Sequence, residues 1–237
     1  RPHMDYIAII GDMIDSKDIE NRFEGQQQLK ACLDKLNKKY QTVLASKFSI
    51  TLGDEFQGLL MAEAPLFQMI DEINQSMEGI NLRFGIGLGK ILTDINPEVS
   101  LGADGPAYWY ARKAINHIHK KNDYGNTQLA VRMDEKEAEE VINSLLAASE
   151  AIKASWRDSQ KILLQTLLEL GIYEERFEQQ ALAQALQLNS SALSKRLKSS
   201  SIKVYLRARN SALKLLQASI HNGETGPQEH QNPDFLV

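Results

Sequence analysis

A single cysteine, Cys32, stands in the 237 residues. No disulfide can close within the chain, which fits a reducing compartment and makes the cytoplasm the expected location. No apolar run approaches the ~18 residues of a membrane-spanning helix, so no membrane partner is expected. No secretory signal is read at the start, where Arg1–Met4 looks like the remnant of a tag and is set aside. Proline is absent from Asp134 to Leu170, a stretch of helix formers, and Gly171 closes it. No internal repeat is found.

Charge is present in both signs but unevenly placed. Residues 1–150 hold 16 lysines and arginines against 23 acids, a net −7, whereas residues 151–220 hold 11 against 5, a net +6. An acidic body joined to a basic module suits contact with a polyanion through the module, although solvated charge segregates by chance as well.

Period-two runs mark the strands. Asp5–Asp12 reads as a strand buried on both faces, because Tyr6-Ile-Ala-Ile-Ile10 is nearly all apolar. Lys47–Ile50 and Glu55–Leu60 flank Gly53-Asp54 and read as a tight hairpin with a carboxylate at its tip. Asn81–Gly89 alternates apolar with small or polar residues, and its glycines predict that something approaches this backbone closely. Thr127–Arg132 reads as a last strand. Helical spacing places helices over about 23–46, from Pro65 to about Met77, and over 107–120. The order β-α-β-β-α-β, then a helix and a strand, predicts an α+β fold whose first six elements follow the ferredoxin-like (palm) arrangement, with both helices on one face of an antiparallel sheet. Asp134 is a candidate cap for the helices that follow. The expected units are 5–148, an α/β sandwich; 149–221, an all-α unit; and 222–237, a disordered tail.

Asp12 ends the first strand and Asp54 sits in the hairpin, 42 residues on, enough for one helical crossover between neighbouring strands. Two hard oxygen ligands meeting at one sheet edge suit Mg²⁺ or Mn²⁺ and the phosphates of a nucleotide. Asp15 and Ser16 are candidates for a phosphate loop, or are solvated loop residues. Glu55 is expected to point away from Asp54 by strand alternation. His117 and His119, two apart on a helix, make a poor zinc pair and read as surface residues. Of Tyr108, Trp109 and Tyr110, not all can be core.

Four stretches, Ile10-Gly-Asp12-Met-Ile, Leu52-Gly-Asp54-Glu-Phe, Leu82-Arg-Phe-Gly-Ile-Gly-Leu-Gly89 and Ala107-Tyr-Trp-Tyr-Ala-Arg112, resemble the catalytic domain of class III nucleotidyl cyclases over about residues 5–132. The resemblance implies that Asp12 and Asp54 are metal ligands, that the Met13 carbonyl is a further one, and that Arg112 faces phosphates. Tyr108 stands where the cyclases carry Asn, Ile50 where adenylyl cyclases carry a base-reading Lys, and no polar purine selector lies near Leu101. By that pattern the metal and phosphate parts are kept, while base recognition and part of transition-state stabilisation are not. Over its whole length the chain is similar to the bacterial SatD family, through Gly-Asp-Met-Ile-Asp-Ser16, Gly-Asp-Glu-Phe-Gln-Gly58 and Tyr-Trp-Tyr-Ala-Arg-Lys-Ala114.

Gln180–Lys198 fits a helix-turn-helix register. Ala183 falls at the crossing, Leu186, Leu188, Leu193 and Leu197 in the shared core, and Asn189–Ser191 at the turn and cap, with Gln187 in place of the usual turn glycine. Ser190, Ser191, Ser194, Lys195 and Lys198, with Arg196 beside them, would then face outward, hydroxyls at the helix start and cations along it, as a probe of duplex DNA requires. The plainer reading is a helical hairpin used for packing. Ile202–Ile220 is a following helix that braces this unit or pairs two subunits into a homodimer. The leading expectation is a regulator that binds a nucleotide-type ligand with a divalent cation and contacts DNA. The alternatives are an active metal-dependent cyclase or phosphoryl-transfer enzyme and a scaffold using the helical unit for protein contacts.

Overall fold

A computed structural model of the chain describes residues 4–14, 19–120, 124–125 and 127–221. The order is β1 (Asp5–Met13), α1 (Ile19–Lys39), β2 (Leu44–Ile50), β3 (Glu55–Leu60), α2 (Leu66–Ser76), β4 (Leu82–Lys90), α3 (Pro106–Lys120) and β5 (Leu129–Arg132). Five helices complete it: α4 (Lys136–Ala154), α5 (Asp158–Glu169), α6 (Gln179–Leu186), α7 (Ser190–Ser200) and α8 (Ile202–Ala218). The strands form one sheet in the order β2-β3-β1-β4-β5. β1 is central and antiparallel to both β3 and β4, β2 is antiparallel to β3, and β5 alone runs parallel, beside β4. The first six elements therefore follow the ferredoxin-like arrangement.

Alternation along β1 sorts its residues between two layers. Ile7 and Ile9 join Leu29, Leu33 and Leu36 of α1 and Phe67, Ile70 and Ile73 of α2 on one face, whereas Ala8 and Ile10 join Ala107, Ala111 and Ile115 of α3 on the other. The glycines of β4 explain how α3 comes so close. A Cβ on Gly87 would lie 2.0 Å from the Ala107 carbonyl oxygen and one on Gly85 2.4 Å from that of Ala111. Only a bare strand admits the helix backbone at that distance.

Some expectations are corrected. The first helix ends at Lys39, not near 46, because Val43 turns back on Tyr40 and Leu44 onward pairs with β3, opposite Leu60. Ladder hydrogen bonds outweigh the helical spacing of Tyr40 and Val43. Asp134 does not cap α4; Glu135 holds that position without a side-chain bond, and the Asp134 carboxylate accepts from the Tyr110 hydroxyl. The stretch of helix formers from 134 to 170, which the sequence reads equally as one helix or two, is two, broken at 155–157.

The border expected at residue 148 falls inside α4. One apolar core runs from Ile7 and Phe84 in the sheet through Ile142 and Leu163 to Leu206 and Leu216. Its charged centre is Asp71 of α2, whose side chain is fully buried. Lys153 Nζ donates to it at 3.0 Å, and the hydroxyls of Tyr173 and Tyr205 at 2.5 and 2.7 Å. Burial alone would push the Asp71 carboxyl up, but Lys153, Arg209 and the two hydroxyls outweigh it and hold the group below its ordinary value. Arg209 of α8 is likewise fully buried, although it stands in the net-basic part of the chain; it pairs with Glu150 and stacks near the rings of Tyr205 and Phe67. The residues of the expected tail, 222–237, lie outside the described ones.

Candidate functional site

The end of the sheet where β1 stops gathers a charged cluster beneath α3. Antiparallel register sets Asp12 directly opposite Glu55 on β3 and opposite Arg83 on β4. Opposed residues share a face, and this face is the one α3 covers. Arg83 Nε donates to Asp12 Oδ1 at 2.8 Å, and His119 Nε2 lies 3.0 Å from Asp12 Oδ2. Arg112, seven residues before His119 on the same side of α3, grips Glu55 through both terminal nitrogens, at 2.5 and 3.0 Å. The bond from Glu55 raises the Arg112 pKa against the lowering effect of burial, with Asp12 adding to the rise. The Asp12 side chain is 13% exposed and that of Arg112 46%. The cluster thus opens to solvent on the Arg112 side.

The predicted site residues fall as follows. Asp54 lies half-buried in the β2–β3 turn, next to Glu55 and so at the same sheet end as Asp12, with interactions of its own. Gly53 takes a positive φ of 61° there, and Thr51 and Glu55 close the turn. Met13 is the last residue of β1, opposite Leu82, with a buried side chain. Asp15 and Ser16 lie outside the described residues. Tyr108 and Tyr110 are core and Trp109 is partly exposed, donating its indole N–H to Asp104. Where the cyclases carry Asn, the Tyr108 ring fills the layer between α3 and the sheet; its hydroxyl is buried without a hydrogen-bond partner, and burial pushes its pKa up.

Three participants were not picked from sequence. Glu55 was set aside by alternation from Asp54, yet it is the residue opposite Asp12. Arg83 went unremarked in a strand read only for its glycines. His119, taken as an idle surface residue, meets Asp12. The usable signals were two periods: Arg83, Gly85, Gly87 and Gly89 share one strand face, and Arg112 and His119 at i and i+7 share one helix face.

The donor set sets limits on a metal. Among the described residues no group of three or more His, Cys, Asp or Glu forms a ligand cage. Two carboxylates, Asp12 and Asp54, suit Mg²⁺ or Mn²⁺ where phosphate oxygens and water complete the shell, and not as a closed protein site. Two of the cluster's carboxylates already face a guanidinium, Asp12 that of Arg83 and Glu55 that of Arg112.

The chain turns between α6 and α7 at Gln187–Asn189, ahead of the expected Asn189–Ser191, because Ser190 and Ser191 already belong to α7. Gln187 adopts the left-handed conformation (φ 54°) usually given to glycine, and Leu188 N–H returns to the Ala183 carbonyl at 2.9 Å. Asn189 Oδ1 accepts from Ala192 N–H at 2.8 Å, capping α7. Leu182, Leu193 and Leu197 are buried, while Ser190, Ser191, Ser194, Lys195 and Lys198 are exposed. Arg196 is half-buried and donates to the Ser159 carbonyl at 3.3 Å, which ties α7 to α5.

Comparison with known proteins gives one family assignment. The family described as the SatD family matches residues 6–216, and the chain belongs to it. No curated protein matches the sequence. Solved structures similar in fold include the guanylyl cyclase domain of the RhoGC fusion protein from the aquatic fungus Blastocladiella emersonii, at 16% identity, TM-score 0.36, covering 48% of this chain and 75% of that one. A bacterial light-regulated adenylyl cyclase aligns at 14% identity, TM-score 0.40, over 55% of this chain and 44% of that one. The guanylate cyclase domain of RhGC from Catenaria anguillulae in complex with GTP aligns at 18% identity, TM-score 0.33, over 48% and 74%.

Proposed function

We propose that this SatD-family chain is a regulatory protein. Its sheet-end cluster takes a nucleotide or other phosphate ligand together with Mg²⁺ or Mn²⁺, and its α6–α7 unit contacts duplex DNA. The observation that carries the ligand reading is the meeting of Asp12, Glu55, Arg83, Arg112 and His119 at one open end of the sheet. Each charge there is paired with an opposite one, so a lone cation or a lone phosphate must break a pair and leave an uncompensated group behind. A divalent cation and a polyanion arriving together remove that conflict. Asp12 and Asp54 turn to the metal, while Arg83, Arg112 and His119 turn to phosphate oxygens, a task for which the forked guanidinium is suited. When bound, the cation neutralises phosphate charge.

Joint binding is therefore the signature. In a thermal-shift assay, Mg²⁺ or Mn²⁺ alone and ATP or GTP in EDTA should each give little, and the pair should give more than the sum. Saturation at 100 times Kd stabilises by about 2.7 kcal/mol, a rise of roughly 5–10 °C for a domain this long. Loss of that rise in Arg112→Gln is expected. No rise with both ligands at millimolar concentration rules the reading out, and nucleotide turnover in the same samples makes the chain an enzyme instead.

The exposed serines and lysines of α7, set on a capped helix whose leucines face inward, support the DNA reading. Binding to a fluorescent duplex should fall steeply with salt and weaken in Lys195→Ala/Lys198→Ala. Binding to no duplex at 20 mM salt would dismiss it.

A further inference from the structure

A cleft of about 620 Å³ lies on the far side of the core from the charged cluster, where α2, the α5–α6 connection and α8 meet. Its apolar wall includes Pro65 before α2, the edge of Tyr173 of the connection and Leu213 of α8, while the Phe67 side chain beneath is buried in the core. Its rim holds three cations, Arg176, Arg207 and Lys214. Arg207 has a partner in Glu175 at 3.6 Å, whereas Arg176 and Lys214 are exposed and make no ion pair among the described residues. Glu174 is the remaining acid of the rim, so the cleft carries a net positive charge. The first turn of α2 adds to it, with neither a side-chain cap nor an acidic residue. A concave site with an apolar wall and a few convergent polar groups is the usual form of a small-molecule site.

We propose that this cleft is a second ligand site, for a small amphipathic anion: an apolar body against Pro65, Leu213 and the edge of Tyr173, and a phosphate, sulfonate or carboxylate held by Arg176 and Lys214. Its size suits a ligand of metabolite dimensions, larger than inorganic phosphate alone. The Tyr173 ring is fixed for the purpose, since its hydroxyl is held by Asp71 and its carbonyl accepts from Asn210. The site shares no residue with the Asp12 cluster and does not depend on it.

The test is calorimetric titration of the full chain with 1-naphthyl phosphate, with 1-naphthol and inorganic phosphate as separate probes. Saturable binding of naphthyl phosphate is expected, at least tenfold tighter than either fragment and at least tenfold weaker in Arg176→Gln/Lys214→Gln. Because both residues are exposed, that variant should melt at the wild-type temperature. Arg112→Gln should bind as wild type, and amide shifts should cluster at 65–68 and 171–176. Absence of binding at millimolar probe, equal binding of 1-naphthol, or undiminished binding by the double variant each overturns the proposal.

Discussion

Replacing Asp71 by Asn removes one negative charge at constant shape and leaves Lys153 and Arg209 facing each other across the core with Glu150 as their remaining acid. Asp71 receives three hydrogen bonds, from Lys153, Tyr173 and Tyr205. One amide oxygen cannot accept all three in their present places, and the amide N–H₂ turns toward a donor. Removing one partner of a buried ion pair costs about 3–5 kcal/mol, a large share of the roughly 5–15 kcal/mol that holds a domain folded. At about 2–4 °C per kcal/mol for a chain of this size, melting should fall by roughly 6–20 °C. In urea the midpoint should drop with an unchanged slope. The pH dependence has a definite sign. The Asp71 carboxyl is more acidic folded than unfolded, so its contribution is complete above the ordinary value of 3.8 and is lost as pH falls through the lower folded value. Asp71→Asn should lack that acid-side loss, and the two proteins should converge in stability as pH falls through that lower value. A loss below 1 kcal/mol at pH 7, or curves that stay parallel into acid, would refute the role given to this network.

Further outcomes follow from the packing and the cluster. Gly87→Ala puts a methyl against the α3 backbone, which cannot rotate away, and should destabilise by about 1–3 kcal/mol while also weakening joint metal–nucleotide binding, since α3 carries Arg112 and His119; denaturation and thermal shift read both. Asn189→Ala removes the α7 cap and should cost about 1 kcal/mol, with DNA affinity reduced where Leu193→Met leaves it intact. Arg83→Gln releases Asp12 from its guanidinium partner, so Mn²⁺ alone should bind more tightly by calorimetry while the metal–nucleotide pair binds more weakly; equal loss of both would argue against partner exchange.

What was legible in the sequence was whatever local spacing dictates. The apolar run of β1, the Gly53-Asp54 turn and the glycines of β4 placed three strands and a close approach to the last of them, and the structure supplies what approaches, the backbone of α3. Asn189 and the leucines around it gave the α6–α7 turn, and the structure adds that Gln187 accepts the left-handed geometry. What was not legible depends on register across long separations. Arg83 is 71 residues from Asp12 and His119 is 107; no local period says that the three meet. The same holds for Asp71, which reads as an ordinary polar position within an amphipathic helix. Its burial is set by Tyr205, 134 residues away. Arg209 misled in the opposite direction, because a cation in a basic stretch reads as surface until a buried acid is found to receive it.

The composition break near residue 150 invited a division into an acidic sheet unit and a basic helical one, and the packing argues against treating these as separate bodies. α8 lies along α4, Gln217 donates to the Ala62 carbonyl at 3.0 Å, and His221 N–H donates to Asp5 at 2.8 Å, so the end of the last helix and the residues after it are fastened to the sheet where β1 starts and β3 ends. The Asp71 network would be left open to water if the helices were lifted away, with Lys153 and Arg209 on one half and their acid on the other. Charge segregation along a chain records where solvent-facing residues were placed, and is silent on which halves share a core. Here the core decides, and it makes the α6–α7 unit an outgrowth of the sheet domain through α5 and the 171–178 connection. A ligand that shifts α2 or α8 then acts on the same packed body that presents α7. Coupling between ligand and α7 has this packed body to run through: α7 lies against α5, α6 and α8, Arg196 reaches the Ser159 carbonyl, and the Trp156 indole N–H donates to the Ser200 carbonyl at 2.8 Å.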